Sequence, residues 1–131
     1  MGKYRIKVKG IVTNGSHYLM LKKWYDDRID QPYQWEFPEG FIEFGESPDR
    51  AVERIVSEAA GVQAESSRPL YTWQYMLGDI SYIGICYLLY TRAEEAVISE
   101  EYAESAWVNR LEIENYITDP KMLADIGRAG L

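Results

Sequence analysis

Lys3, Arg5, Lys7 and Lys9 alternate with Tyr4, Ile6 and Val8, a period of two that predicts a strand with one wet and one buried face. The Asn14-Gly15 pair marks a turn, and the apolar-rich residues 17–24 after it predict the return strand of a hairpin. Residues 25–34, with two Asp, Arg28, Asp30 and Pro32, fit neither period and predict a surface loop. Ser47-Pro48 announces a helix: Ser suits the N-cap, and Pro suits the first helical position, where its missing N–H costs nothing. Ala51, Val52, Ile55, Val56 and Ala59 follow at helical spacing, and Gly61 supplies the stop. Two strands at about 68–76 and 80–91 are predicted next, joined across Leu77-Gly78-Asp79, with aromatic rings alternating at Tyr71, Trp73 and Tyr75. A weaker strand near 106–108 and a short helix from about Leu111 lead to Asp119-Pro120, which caps a terminal helix ending near Gly127. With strands flanking a central helix and no repeat or linker, the expected fold class is α/β, helices covering a mixed sheet, in a single domain over residues 1–131.

Composition narrows the class. A chain of 131 residues with 47% hydrophobic and 27% charged residues matches an ordinary globular domain rather than a disordered or fibrous one. The longest apolar run, 83–90, is too short to span a bilayer. No basic leader with an apolar stretch and cleavage site opens the chain, so a cytoplasmic location without a membrane partner is expected. Cys86, the one cysteine, lies inside that apolar run and is expected to pack in the core. The formal charge of −7 argues against nucleic acid as the main partner, because such binding rests on Lys and Arg neutralising phosphates. A small phosphate-bearing molecule needs a metal ion or a local basic patch to overcome that field.

Candidate chemistry concentrates in residues 35–62. Gly40, Glu46, Arg54, Val56, Glu58, Gly61 and Val62 fall at the fixed spacings of the Nudix box, G-x5-E-x7-R-E-U-x-E-E-x-G-U with U a bulky aliphatic residue. Trp35-Glu36-Phe37-Pro38 resembles the usual lead-in, and Glu43 and Gly45 occupy common loop positions. The chain thus resembles the Nudix hydrolase superfamily, MutT-like, over most of its length. The resemblance implies an α/β/α sandwich with a mixed central sheet that hydrolyses a nucleoside diphosphate linked to another group. It implies Mg²⁺ or Mn²⁺ as cofactor, a nucleotide-like small molecule as partner, and a homodimer, since many relatives dimerise. Mg²⁺ suits such chemistry because it takes oxygen ligands from one or two carboxylates plus substrate phosphates and stabilises charge at the attacking and leaving oxygens.

Two positions depart from the box, making it degenerate. Where the family has Glu after the arginine and again after the second glutamate, this chain has Ile55 and Ala59, and Glu39 stands where Gly is usual. At about 100° per residue, positions 55 and 59 lie about 40° apart, on the side of Val52 and Val56. Burying an Ile gains about 1.5–3 kcal/mol, whereas an ionised Glu on an apolar face without its metal faces a desolvation cost of several kcal/mol, by order of magnitude. For hydrolysis the sign reverses, since losing one charge-stabilising group costs about 10²–10³ in rate.

Two readings stand for Glu58 and Arg54: metal ligand and its orienter, as the family implies, or a solvated i,i+4 pair. Glu46 is expected to hold the loop against the helix rather than only to be a favourable acid just before a helix N-terminus, and Gly40 and Gly61 to be structural. Glu39, Glu43 and Glu36 are near enough in sequence to rebuild part of a metal site. Family members often draw a base or further ligand from a late acidic loop, which here makes Glu101 and Glu104 candidates; the alternative is a solvated loop. Tyr33, Trp35, Trp73 and Tyr75 offer flat faces for a nucleobase, against cross-strand packing. The basic face of the first strand is expected to keep a sheet edge soluble rather than to hold a phosphate tail. Two functions remain in view: a Nudix-type hydrolase of nucleoside diphosphates with weakened metal-dependent activity, and a non-catalytic nucleotide-binding or protein-interaction module on the same fold.

Overall fold

A computed structural model describes residues 2–24 and 34–131; the expected loop, with Tyr33, lies outside the described residues except for Gln34. The order of elements is β1 (Lys3–Thr13), β2 (Tyr18–Lys23), β3 (Trp35–Glu36), β4 (Glu39–Phe41), α1 (Pro48–Ala60), β5 (Ala64–Leu77), β6 (Ile80–Thr91) and β7 (Tyr102–Val108). A 3₁₀ turn (Arg110–Glu112), α2 (Ile113–Tyr116) and α3 (Pro120–Ala129) follow.

The strands form one mixed sheet. Along β3-β2-β1-β6-β5 only β1 and β6 run parallel, while β4 pairs with β1 and β7 with β2. The Asn14 carboxamide closes the first turn by accepting the Ser16 and His17 N–H groups, and Gly15 supplies the positive φ of 105° that the turn requires. Beyond that turn β1 and β2 separate, sharing only the Thr13–Tyr18 pairing. Residues 35–41 bridge the opening: β3 pairs with β2, β4 pairs with β1, and the Gly10 N–H donates to the Pro38 carbonyl between them. This split is what leaves room for a site.

Helix α1 covers one face of the sheet, where Val8, Val12, Leu19 and Leu89 meet Val52, Ile55, Val56 and Ala59. Helices α2 and α3 cover the other, where Ile11, Met20, Phe37 and Cys86 meet Ile113, Ile117 and Ile126. The expected α/β/α sandwich is therefore the fold. Ser47 precedes α1 in an extended conformation without a side-chain cap, and Gly61 ends the helix at φ 62°, its N–H bonded to the Ser57 carbonyl.

Four expectations need correction. β1 pairs with β6 along its length and with β4 over residues 7–9, so Lys7 and Lys9 do not lie on a sheet edge. Its outer end is also not half-buried as the alternation implied: Tyr4 and Ile6 are exposed, whereas Lys9 is buried. The acidic segment is a strand from Tyr102 onward rather than a loop up to 104. The terminal helix runs past Gly127 and stops at Gly130, whose φ of 68° makes it the true C-cap. Among the described residues no helix is long and apolar enough to cross a membrane.

Candidate functional site

The loop before α1 is closed on itself: the Glu46 N–H donates to the Glu43 carbonyl at 3.0 Å, and the Glu43 N–H donates back to the Glu46 carboxylate at 3.1 Å. Arg54, on the second turn of α1, locks this loop to the helix. Its Nε and Nη2 donate to the two Glu46 carboxylate oxygens at 2.8 and 3.0 Å, and Nη2 also donates to the Phe41 carbonyl of β4 at 2.9 Å. The third guanidinium nitrogen, Nη1, reaches Glu58 at 3.2 Å, with Glu43 at 3.8 Å. The fork geometry of a guanidinium suits such bidentate carboxylate binding. It holds the Glu46 carboxyl below its ordinary value, helped by the Glu43 N–H. Glu46 thus has the loop-fastening geometry expected of it, and the Glu58 carboxylate is turned toward Arg54.

Ile55 and Ala59 lie on the inner side of α1 at 6% and 9% exposure. Ile55 packs against the backbone of β4 so closely that a Cβ on Gly40 would stand 2.9 Å from its Cδ1. That contact accounts for a glycine at position 40 without invoking a positive φ. At the far end of α1 the Ala59 and Ala60 carbonyls accept the N–H groups of Ser99 and Val97. These bonds satisfy two orphan carbonyls of the helix terminus and pin the acidic segment there.

Between these parts lies a cavity of about 240 Å³, lined by Glu39, Gly40, Ile55, Glu58, Ala59 and Glu101 among others. Of the late acidic candidates Glu101 belongs to this cavity, whereas Glu104 sits on β7 and pairs with Lys22 at 2.9 Å. The Glu39 carboxylate bridges to Lys7 at 3.0 Å. Burial works against the Lys7 ammonium, yet the charge and hydrogen bond of Glu39, with the Tyr75 hydroxyl, outweigh it and hold Lys7 above its ordinary value. Glu43 is mostly exposed. Glu36 points to Lys23 at 3.2 Å, and burial raises its carboxyl above the ordinary value despite that partner. Among the described residues no three acidic, histidine or cysteine side chains converge to hold a metal ion. The donor set does not fit a hard divalent cation, which wants several free oxygen ligands at one point: two helix positions are apolar, and Glu58 and Glu39 are engaged by Arg54 and Lys7.

The aromatic candidates do not converge either. Trp35, on β3, meets Tyr116 edge-on at 5.1 Å. Trp73 and Tyr75 lie on β5, at the other end of the strand order. Trp73 covers Gly84, where an added Cβ would fall 2.1 Å from the indole, and Tyr75 stacks on Tyr82 at 4.8 Å. Sequence reasoning weighed the basic face of β1, with Arg5, Lys7 and Lys9, for a phosphate tail and preferred a solubilising role, and it did not single out Phe41 or Tyr82. The strand alternation was visible, but that β1 is central depends on its parallel pairing with β6, which no local pattern shows.

A family model described as NUDIX domain matches residues 3–126. An RNA pyrophosphohydrolase of Blochmanniella pennsylvanica is 35% identical over 74 residues, 56% of this chain and 44% of that protein. A second RNA pyrophosphohydrolase, from a Nitratiruptor species, is 36% identical over 59 residues, 45% of this chain and 38% of that protein, so each match spans less than half of the relative. Among solved structures, the MutT protein of Methanosarcina mazei Go1 superposes with a TM-score of 0.80 at 23% identity, covering 98% of this chain and 94% of that one.

Proposed function

The chain belongs to the NUDIX family, and from that premise we propose that it binds a nucleoside diphosphate or longer polyphosphate, with metal-dependent hydrolysis strongly weakened by a degenerate box. The observation that carries this reading is the burial of Ile55, packed against β4, and of Ala59 at the two positions where the family pattern has Glu. Losing one charge-stabilising group costs about 10²–10³ in rate, and two are missing here. Glu58, turned to Arg54, is the remaining box carboxylate on the helix. A second reading, residual hydrolysis, is favoured by the cavity itself, since Glu39, Glu58 and Glu101 all line it. In that reading these three are the metal-binding and catalytic candidates and Arg54 is a positioning residue.

The test incubates the full chain with Mg²⁺ or Mn²⁺ and a panel of nucleoside triphosphates, dinucleotides, sugar nucleotides and 5′-triphosphorylated RNA. Thermal-shift measurement on the same panel reads binding without turnover. A stabilising shift without turnover, with turnover gained in Ile55→Glu/Ala59→Glu, is the expected result. Native turnover that vanishes in Glu58→Ala establishes the second reading instead.

A further inference from the structure

In the register of the sheet, Arg5, Lys7 and Lys9 share one face with Glu39 and Phe41 of β4 and with Tyr82, Gly84 and Cys86 of β6. Through β6, the face extends to Tyr75 and Trp73 of β5. It is the face opposite α1, and α3 covers only its deeper end, around Cys86 and Leu88. Each of the three cations lies over a ring: Arg5 is 3.9 Å from the centre of Phe41, Lys7 is 5.7 Å from Tyr75, and Lys9 is 4.5 Å from Trp73. Three positive charges therefore stand in a row at the centre of a chain whose formal charge is −7, with one carboxylate, Glu39, bridged to them.

Lys9 is the informative member. It is 5% exposed, and no described residue forms a salt bridge with it. A ring face compensates a desolvated ammonium only in part, because a cation–π contact is weaker than the cost of removing the charge from water. Lys9 lies in register with Glu39 and its charge acts on the buried Glu36 carboxyl, but no described carboxylate pairs with it directly, so part of its positive potential stays available in a low-dielectric surrounding, where an anion is bound more strongly than at an exposed surface. Edge protection does not account for Lys7 and Lys9, which stand between β4 and β6. The row also reaches the cavity of the candidate site: Lys7 holds Glu39, and both Glu39 and Phe41 line that cavity.

We propose that Arg5 and Lys7, backed by Lys9, bind the phosphate chain of a 5′-polyphosphorylated nucleotide directly, so that protein cations supply the neutralisation that positions 55 and 59 do not supply through a metal. This rests on the nucleotide-binding reading above and adds to it the residues that hold the phosphates and independence from divalent cations. Arg5, exposed at the rim, meets the chain first. Lys7 exchanges part of its bridge to Glu39 for phosphate oxygens, and the Tyr75 hydroxyl, 3.2 Å from its Nζ, keeps it in place. The ligand class is the polyphosphate end, whether carried by a free nucleotide or by the 5′ end of an RNA.

The experiment is calorimetric titration of the full chain with inorganic tripolyphosphate and with ATP, each in EDTA and again in Mg²⁺. Binding of both in EDTA is expected, weakening with added salt, at least tenfold weaker in Arg5→Gln and in Lys7→Gln and unchanged in Lys121→Gln. Arg5 is exposed, so its variant stays informative if loss of the Lys7 bridge disturbs folding. ATP binding that requires Mg²⁺ and ignores Arg5→Gln overturns the proposal and leaves the nucleotide-binding reading standing. No binding of either ligand in either condition overturns both. In competition, a short 5′-triphosphorylated RNA is expected to displace tripolyphosphate and its 5′-hydroxyl counterpart is not. Equal displacement by the two would show backbone binding and sink the proposal.

Discussion

At the scale of single residues the site is governed by one close contact. Gly40 and Ile55 touch so tightly that neither can change size freely, and the contact occupies space where the family pattern would place a carboxylate. Gly40→Ala is expected to cost about 1–3 kcal/mol, as overpacking does, because the end of Ile55 must move. Ile55→Val removes the Cδ1 methyl that blocks the new Cβ and on its own costs about 0.5–1.5 kcal/mol. The double variant should therefore lose less than the two singles together, by roughly 0.5 kcal/mol or more. Urea unfolding of the four proteins measures this, and strict additivity would show that Ile55 does not pack on β4 as described. The burial of 55 and 59 was legible in the sequence, since the helical period alone puts them beside Val52 and Val56. Where Glu58 and Glu39 turn was not legible, because their partners Arg54 and Lys7 compete for them in three dimensions.

Among elements, α1 is joined to the loop before it and to β4 through one guanidinium, and this joint has a pH signature. The Arg54 hydrogen bonds depress the Glu46 carboxyl, so the stability they confer is present above the ordinary Glu value of 4.5 and is lost as pH falls through the lowered value. Arg54→Lys cannot make the bidentate contact and should be less stable than the native chain at pH 7. The gap should narrow as pH falls below about 4.5, without closing, because the bond to the Phe41 carbonyl does not titrate. Thermal unfolding of both proteins from pH 7 to pH 3 checks it, and a gap of constant size would mean that Glu46 is not the partner that matters. Elements with strong local signals were read from sequence: α1 by its Ser-Pro start and glycine stop, and the β5–β6 hairpin by its aromatic alternation and Gly78 turn. β3 and β4 were not, being two and three residues long. Strands so short carry no period; they exist because the bridging segment must pair first with β2 and then with β1.

Across the whole molecule, the two faces of the sheet divide the labour: the α1 face carries the box residues, and the opposite face carries the cation row and, beneath α3, the closed part of the core. Cys86 reports on that closed part. It is fully buried on β6 between β1 and β5, in register with Lys9 on one side and Tyr71 on the other, and burial pushes its thiol up to about 12. A thiol must be both accessible and ionised to react with a disulfide reagent, and native Cys86 is neither at pH 8. Opening the site alone exposes β4 and the end of α1 but leaves β6 flanked on both edges, so local fluctuations there do not free the thiol. Labelling by an aromatic disulfide at pH 8 is therefore expected to be negligible in the folded chain and to rise with urea in step with the loss of far-ultraviolet circular dichroism. Adding tripolyphosphate should slow it further by stabilising the folded state. Rapid labelling in the absence of urea would show that the α3 face opens independently of the rest, and the cations above Cys86 would then not be held in a closed core.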